Sequence, residues 1–548
     1  MLRTFLRSTR RAPHFDPRGM HLRATAVTMA TVLGTYGWAL FVEREAGLRV
    51  GSVAQAVVIA SALGRVQRHF DRADRLLACA VLPCAAAGGT ELSALLQRHP
   101  LAGDAVFVVG VVGAIWVRRF GARATRAGTL VVLPLIAVLV VPPGTGPVSG
   151  HEHSAWVAVS ALVAVAWGTA VTWTAQRTGL VPRPPSMRVT AVTRATRRRI
   201  PAGTRMALQM AAASTAAFAI GRILWPDHWA WVVLTAFLVC SGARSRGDVL
   251  VKGVWRTLGA AAGTVVADAV SGLFGPRSDT AVVVIFAVLA VATWLRELGY
   301  AYWAGGVTAV LSLFYDWLGQ SPGDLLHTRL AGIAVGAVLG AAASWLVLPI
   351  RTEAVIRART AAALSGLGDL MEADWHDGQA VRVAQARFTY LVEQLGTATA
   401  PMRILAAVPK ARIPSARWRP DPCTLRPLTV VRRCGDPVDD LALAIKAAPD
   451  AVTADPAVTV RRTQIAAHAV ALRRAIGRRP TSLADTGTEP PQHLRTAGAA
   501  TPPSRCALTA ALTALDALDA IDTQLGLLSG LFVPSPAPTS DSTATTAG

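Results

Sequence analysis

Charge is scarce in this chain. Only 16% of its 548 residues are Asp, Glu, Lys or Arg, 52% are hydrophobic, and the mean hydropathy is +0.41. A water-soluble globule of that length needs more charge to cover its surface, so the composition excludes one and points to a protein embedded in lipid. Cysteine is thin as well, with six residues. Cys79, Cys84 and Cys240 fall inside hydrophobic runs and read as small packing residues. Cys423 and Cys434 lie eleven apart, with Cys506 further on and no C-x-x-C spacing, so neither a disulfide framework nor a zinc site is expected. His151 and His153 are too few for a metal site. The phosphate loop G-x4-G-K-[ST], the H-E-x-x-H motif and a D-x-D cluster are absent too. That leaves no ATP motor, no expected cofactor and no catalytic residues to name, and the chain reads as something other than an enzyme. No cleavable signal is visible either: Leu22 to Val42 is too long for one, leads into Glu43-Arg44-Glu45, and reads as a first membrane span.

What is abundant is apolar sequence in the first 350 residues and arginine between its runs. A membrane helix needs about 20 apolar residues. The runs 22–42, 48–64, 76–96, 102–117, 127–142, 155–175, 204–224, 228–243, 255–275, 279–295, 299–318 and 328–350 therefore predict twelve spans. Most of the net charge of +22 comes from arginines clustered between those runs rather than on one basic face, so no nucleic-acid partner is expected. Alternate connections carry the arginines: the N-terminus (Arg3, Arg7, Arg10, Arg11, Arg18), Arg65 to Arg75, Arg118 to Arg126, Arg194 to Arg199, Arg244 to Arg256, and Arg296. The intervening connections hold at most one Arg each. By the positive-inside rule both termini are cytoplasmic, in a multi-pass protein of the plasma (cytoplasmic) membrane.

The two halves resemble each other. Trp116-Val-Arg118-Arg-Phe-Gly121 is followed seven residues later by Gly128, and Trp294-Leu-Arg296-Glu-Leu-Gly299 seven residues later by Gly306. Arg75 and Arg256 each open the third span of their half. Six spans per unit make the repeat parallel. Gly259-x3-Gly263 and Gly332-x3-Gly336-x3-Gly340 read as close-packing stripes.

The stretch Trp229-Ala-Trp-Val-Val-Leu-Thr235-Ala-Phe, then Ser241-Gly-Ala-Arg244-Ser-Arg246-Gly247-Asp, then Arg256-Thr-Leu-Gly259-Ala-Ala-Ala-Gly263 resembles the fusaric-acid-resistance-like (FUSC) membrane proteins. That family is grouped with aromatic acid exporters and is more distantly similar to plant malate channels. The resemblance covers residues 20–350 and is clear in the second half. In the first half Arg65, Arg68 and Arg75 remain but the Ser-Gly-x-Arg-x-Arg-Gly turn does not. It implies six-span units, a helical cytoplasmic domain and anionic, often aromatic, carboxylate substrates.

The expected fold is all-α: a polytopic bundle of two parallel six-span repeats plus a helical cytoplasmic C-terminal domain. Its parts are a cytoplasmic N-terminus (1–21), a first six-span unit (22–175), a basic cytoplasmic linker (176–203), a second six-span unit (204–350), a helical cytoplasmic domain (351–532) and a disordered tail (533–548). Arg244, Arg246 and Arg256, with the repeat-paired Arg118 and Arg296, are candidate substrate ligands, because guanidinium grips carboxylate in a two-pronged fork. The same arginines also serve as topogenic anchors. Glu91 and Asp268, in the matched third helices, are candidates for proton coupling, or are hydrated carboxylates near the outer interface. Trp225, Trp229, Trp231, Tyr300, Tyr302 and Trp303 read chiefly as interfacial belts. In the tail, Leu508, Leu512, Leu515, Leu518, Ile521, Leu525 and Leu528 form an apolar helical stripe, as do Phe388, Leu391, Val392 and Leu395. Such stripes pack on one another or on a second copy, making a homo-oligomer through these helices an expectation. The partners implied are the lipid bilayer and a small organic anion. The function expected is secondary efflux of aromatic carboxylic acid anions; the alternative is a membrane-anchored structural or regulatory protein without transport.

Overall fold

The computed structural model describes residue 16 and residues 19–47, 49–141, 151–182, 200–271, 275, 277–319, 322–406, 425–477 and 505–532. The N-terminal arginines up to Arg18, the linker arginines 194–199, residues 407–424 with Cys423, residues 478–504 and the tail 533–548 lie outside them. Among the described residues every regular element is a helix. The chain divides into two units, Met1–Ile350 and Arg351–Gly548.

Unit one holds, among its described residues, twelve α-helices: α1 Met20–Ala46, α2 Val50–Val66, α3 Arg72–Arg98, α4 Pro100–Val117, α5 Ala122–Val140, α6 His151–Arg177, α7 Ala202–Leu224, α8 Trp229–Cys240, α9 Arg246–Ser271, α10 Asp279–Leu295, α11 Tyr300–Trp317 and α12 Pro322–Leu346. Nine of these are long and apolar enough to cross a membrane; α8 and α10 are shorter apolar helices, and α11 belongs to neither group. The twelve residues of α8 rise about 18 Å, well short of the roughly 30 Å hydrocarbon core. A mean over α11 is diluted by Tyr300, Tyr302, Trp303, Tyr315 and Asp316.

Local chemistry sets the helix starts. Pro100 opens α4, where its missing N–H costs nothing. Asp71 and Asp74 cap α3 reciprocally, each carboxylate taking the other's backbone N–H, at 2.7 and 3.0 Å. The start of α9 uses the same spacing: the Asp248 N–H donates to Ser245 Oγ at 3.3 Å, and the Arg244 N–H to the Asp248 carboxylate at 3.0 Å. These caps correct one reading. Arg75 does stand in the first turn of α3, but Arg256 lies ten residues into α9, because the Ser245/Asp248 cap starts that helix ahead of its apolar run. The two arginines are not equivalent.

Packing follows one scheme twice. In the first set α1 packs on α2 and α6, α2 on α6, α3 on α5 and α6, and α4 on α5; in the second α7 packs on α8 and α12, α8 on α12, α9 on α11 and α12, and α10 on α11. The sets meet through α4 with α7, α1 with α10, and α5 with α8. Glycine permits the closest approaches. A Cβ on Gly128 would collide with the Ala114 carbonyl oxygen, and one on Gly306 with the Ala292 side chain. The two glycine stripes also lie at helix contacts. Gly259 and Gly263 meet Ala301 and Gly305 of α11, and Gly332, Gly336 and Gly340 meet α8.

Unit two comprises α13 Thr352–Glu372, α14 Gly378–Ala406, α15 Arg426–Arg433, α16 Gly435–Ala447, α17 Pro449–Ala454, α18 Pro456–Gly477 and α19 Arg505–Phe532. Its core joins Leu367, Leu370, Trp375, Phe388, Leu395, Leu441, Ile465 and Leu518. Arg462 closes the end of α13. Its guanidinium donates to the Met371 and Ala373 carbonyls and lies 4.3 Å from the Trp375 ring centre, so burial pulls its pKa below the usual arginine value. The α19 stripe is phased differently from the leucine pattern. Leu518, Ile521, Leu525 and Leu528 are buried, but the earlier turns bury Ala510, Ala514 and Ala517, and leave Leu508 and Leu512 about half exposed. At 100° per residue Leu508 and Leu512 fall off the line through Leu518 and Leu525.

Candidate functional site

The end of unit one that carries Arg65, Arg68, Arg244 and Arg296 gathers cations from both helix sets around two aromatic rings. Tyr300 and Trp303 stand in the first turn of α11. The Arg65 guanidinium, from the last turn of α2, lies 4.8 Å from the Trp303 ring centre, and that of Arg296, from the α10–α11 turn, lies 5.2 Å from the same ring. Each is within reach of a cation–π attraction, and together they clamp the ring. Lys252 of α9 reaches 5.5 Å from the Tyr300 ring and donates to the Ser241 carbonyl at 2.7 Å. Glu297 is the acidic neighbour of Arg65, Arg68 and Arg296, and Asp248 that of Lys252. Arg65 Nη1 is buried with no hydrogen-bond partner. With Arg244, five cations lie here against the acidic neighbours Glu297 and Asp248 and the Asp16 carboxylate that accepts from Trp294 Nε1 at 3.3 Å, an imbalance that favours an incoming anion.

The five arginines singled out from sequence separate here. Arg296 is in the cluster. Arg244 lies at its edge beside Lys252. Arg246 is turned elsewhere: its N–H donates to the Ile350 carbonyl at 3.3 Å, and its guanidinium lies 4.7 Å from the Trp345 ring, tying α9 to the end of α12. Arg118 occupies the matching turn of the first set, which packs against the start of α7, and its buried Nε has no partner. Arg256 is 1% exposed. Its Nη1 donates to Thr308 Oγ1 at 3.3 Å and to the Ala304 carbonyl at 3.4 Å, while Nε and Nη2 are buried without partners.

Glu91 and Asp268 are both exposed. Glu91 accepts from Ser154 Oγ at 2.6 Å, which also meets Thr90 Oγ1 at 3.0 Å, joining α3 to α6. Asp268 stands on α9 with Asp316 of α11 as its acidic neighbour.

Three groups escaped the sequence reading as ligands: Arg65 and Lys252, taken only for topogenic charges, and Arg329. Arg329 is 5% exposed, yet falls inside the run 328–350, and a cation within a span is itself the signal. Trp231, read as a belt residue, is instead 6% exposed and stacked on Arg329 at 4.8 Å. The sequence also contains the spacing His-x4-Asp twice, at His69/Asp74 and His99/Asp104, which could pair a base with an acid. Both carboxylates are engaged otherwise: Asp74 by Arg126, and Asp104 by Arg222 through two bonds of 2.6 and 2.7 Å that join α4 to α7.

Many apolar helices in one unit, with arginines buried among them, define a multi-pass membrane protein. The family model described as fusaric acid resistance protein-like matches residues 215–343, from within α7 to within α12, and supports assigning that stretch to the fusaric-acid-resistance-like family. No curated protein matches the chain. Family and helices together indicate the transporter class.

Proposed function

We propose that the protein is a secondary transporter that exports organic anions, chiefly aromatic carboxylates, through two parallel six-span repeats with both termini in the cytoplasm. The observation that carries this reading is the cluster of Arg65, Lys252 and Arg296 around Tyr300 and Trp303. Guanidinium and ammonium groups attract a carboxylate, and the flat rings offer a face for an aromatic body. The arginine-rich connections fit the cytoplasmic side, which would put this basic mouth where an exported acid is collected. A membrane potential negative inside drives an anion outward with about 2.3 kcal/mol per charge per 100 mV, so no ATP motor is needed. The duplication is supported by the matched packing scheme, the matched caps of α3 and α9, and the Gly128–Ala114 and Gly306–Ala292 contacts at one offset. Pairing between copies would draw on the half-exposed Leu508 and Leu512 of α19.

The test is flux. Purified protein in liposomes should move benzoate saturably under an imposed potential, and Arg296→Gln should slow it by about tenfold, the loss of one hydrogen bond to a charged group. Absence of saturable movement of benzoate and of other carboxylates, under either a potential or a proton gradient, defeats the reading.

A further inference from the structure

Deeper than the basic mouth, two buried arginines approach one face of α11 from opposite ends. Arg256 starts from the third turn of α9. The next turn of its own helix, Gly259, packs against Ala301 and Gly305, yet the guanidinium passes that level and reaches Ala304 and Thr308. Arg329 starts near the beginning of α12. It stacks on Trp231 and Tyr315, 4.8 and 5.5 Å from their ring centres, and goes on to donate to Ser312 Oγ, one turn further inside than Tyr315. Side chains on a helix lean towards its N-terminus, and a charged one near a span end ordinarily bends back to the nearer interface. Both arginines do the reverse.

They converge. Thr308 and Ser312 are four residues apart on α11, which sets their Cβ atoms about 6 Å apart, and the Ser312 hydroxyl donates to the Thr308 carbonyl at 2.9 Å. Among the described residues no carboxylate pairs with either arginine, and Arg256 Nε, Arg256 Nη2 and Arg329 Nε are buried with no hydrogen-bond partner. Two guanidiniums with no counter-ion among the described residues are costly in a low-dielectric interior, even with these hydrogen bonds and ring contacts. An anion between them would remove that cost, because a carboxylate accepts from several N–H donors at once.

We infer that Arg256 and Arg329 form one internal site that clasps the carboxylate of an organic anion between their guanidiniums, with Thr308 and Ser312 holding the two side chains in place. The inference rests on the transport reading for its purpose but not for its test. In a carrier this would be the point where the anion, freed from water, is handed from one end of the bundle to the other.

Benzoate is the probe and benzamide the neutral control, measured by calorimetry on the full chain in detergent and by flux in liposomes. Arg256→Gln and Arg329→Gln should each weaken benzoate binding by about ten- to a hundredfold. The double variant should lose less than the two effects combined, because both groups hold the same carboxylate. Arg329→Lys should recover part of the loss, and benzamide should bind none of these proteins. Thr308→Val and Ser312→Ala keep both charges and should weaken benzoate several-fold, so the site remains testable if a glutamine variant does not fold. Natively eluting variants that bind and transport benzoate within twofold of the unaltered protein overturn the site and leave the transport reading standing. Binding that weakens as described in a protein without flux upholds the site and removes the transport reading.

Discussion

Cys434 stands between α15 and α16, 2% exposed, its Sγ donating to the Val430 carbonyl at 3.6 Å. Burial disfavours the thiolate and pushes the thiol up to about 12. Iodoacetamide at pH 8 should therefore leave Cys434 unmodified in the folded chain, and label it only once unit two is unfolded in denaturant, as read by peptide mass spectrometry. The linkage follows in sign. Below the unfolded thiol's pKa near 9 the proton is bound in both states and nothing is lost. Between about 9 and 12 only the unfolded chain gives it up, so stability falls with rising pH by up to about 1.4 kcal/mol per unit. Cys434→Ala should lack that slope, and fast labelling of the native thiol at pH 8 contradicts the burial. At this scale sequence shows which side chains are cationic but not what they face. The spacing of Arg65 and Arg68 is as expected of a topogenic pair, and nothing local announces that Trp303, more than two hundred residues on, takes the Arg65 guanidinium on its ring.

Helix positions were legible because apolar runs and their breaks are local. Every predicted run overlaps a helix, and the W-x-R-x-x-G-x6-G pattern marks the two turns between α4 and α5 and between α10 and α11. Helix starts were less legible where the cap lies outside the apolar run, as Ser245 and Asp248 do, and that misplaced Arg256. Close approach was legible only as glycine, not as its partner. Gly128 faces Ala114, and Gly306 faces Ala292, 178 residues on in both members of the pair. Alanine at either glycine must push two helices apart, at about 1–3 kcal/mol for an overpacked contact. Gly128→Ala and Gly306→Ala should each lower the melting temperature of the detergent-purified protein, by similar amounts. Gly37→Ala, where a Cβ meets open space, should not. A shift confined to one of the two glycines argues against equivalent hairpins.

For unit one as a whole, orientation is the property on which the transport reading turns, and it rests on where arginines concentrate. The ion pair Arg222–Asp104, the Glu91–Ser154 bond and the Tyr315 hydroxyl on the Val140 carbonyl involve helix ends away from the basic mouth. The Gln67 amide on the Val165 carbonyl and the Gln209 amide on Val347 and Leu348 belong with the arginine-rich connections. These bonds thus fall at two opposite ends of the unit, as helices running in alternate directions place them. A reporter that is active only in the cytoplasm should then work when fused after residue 200 and fail when fused after residue 145, with an export-dependent reporter giving the opposite pair. The difference follows from the cost of translocating arginine-rich connections, about 1 kcal/mol per cation against an anionic inner surface. Agreement between the two fusion sites would remove a crossing between them. The Arg65–Trp303–Arg296 mouth could then no longer be assigned to the side from which an exported acid departs, even though every contact within it remained.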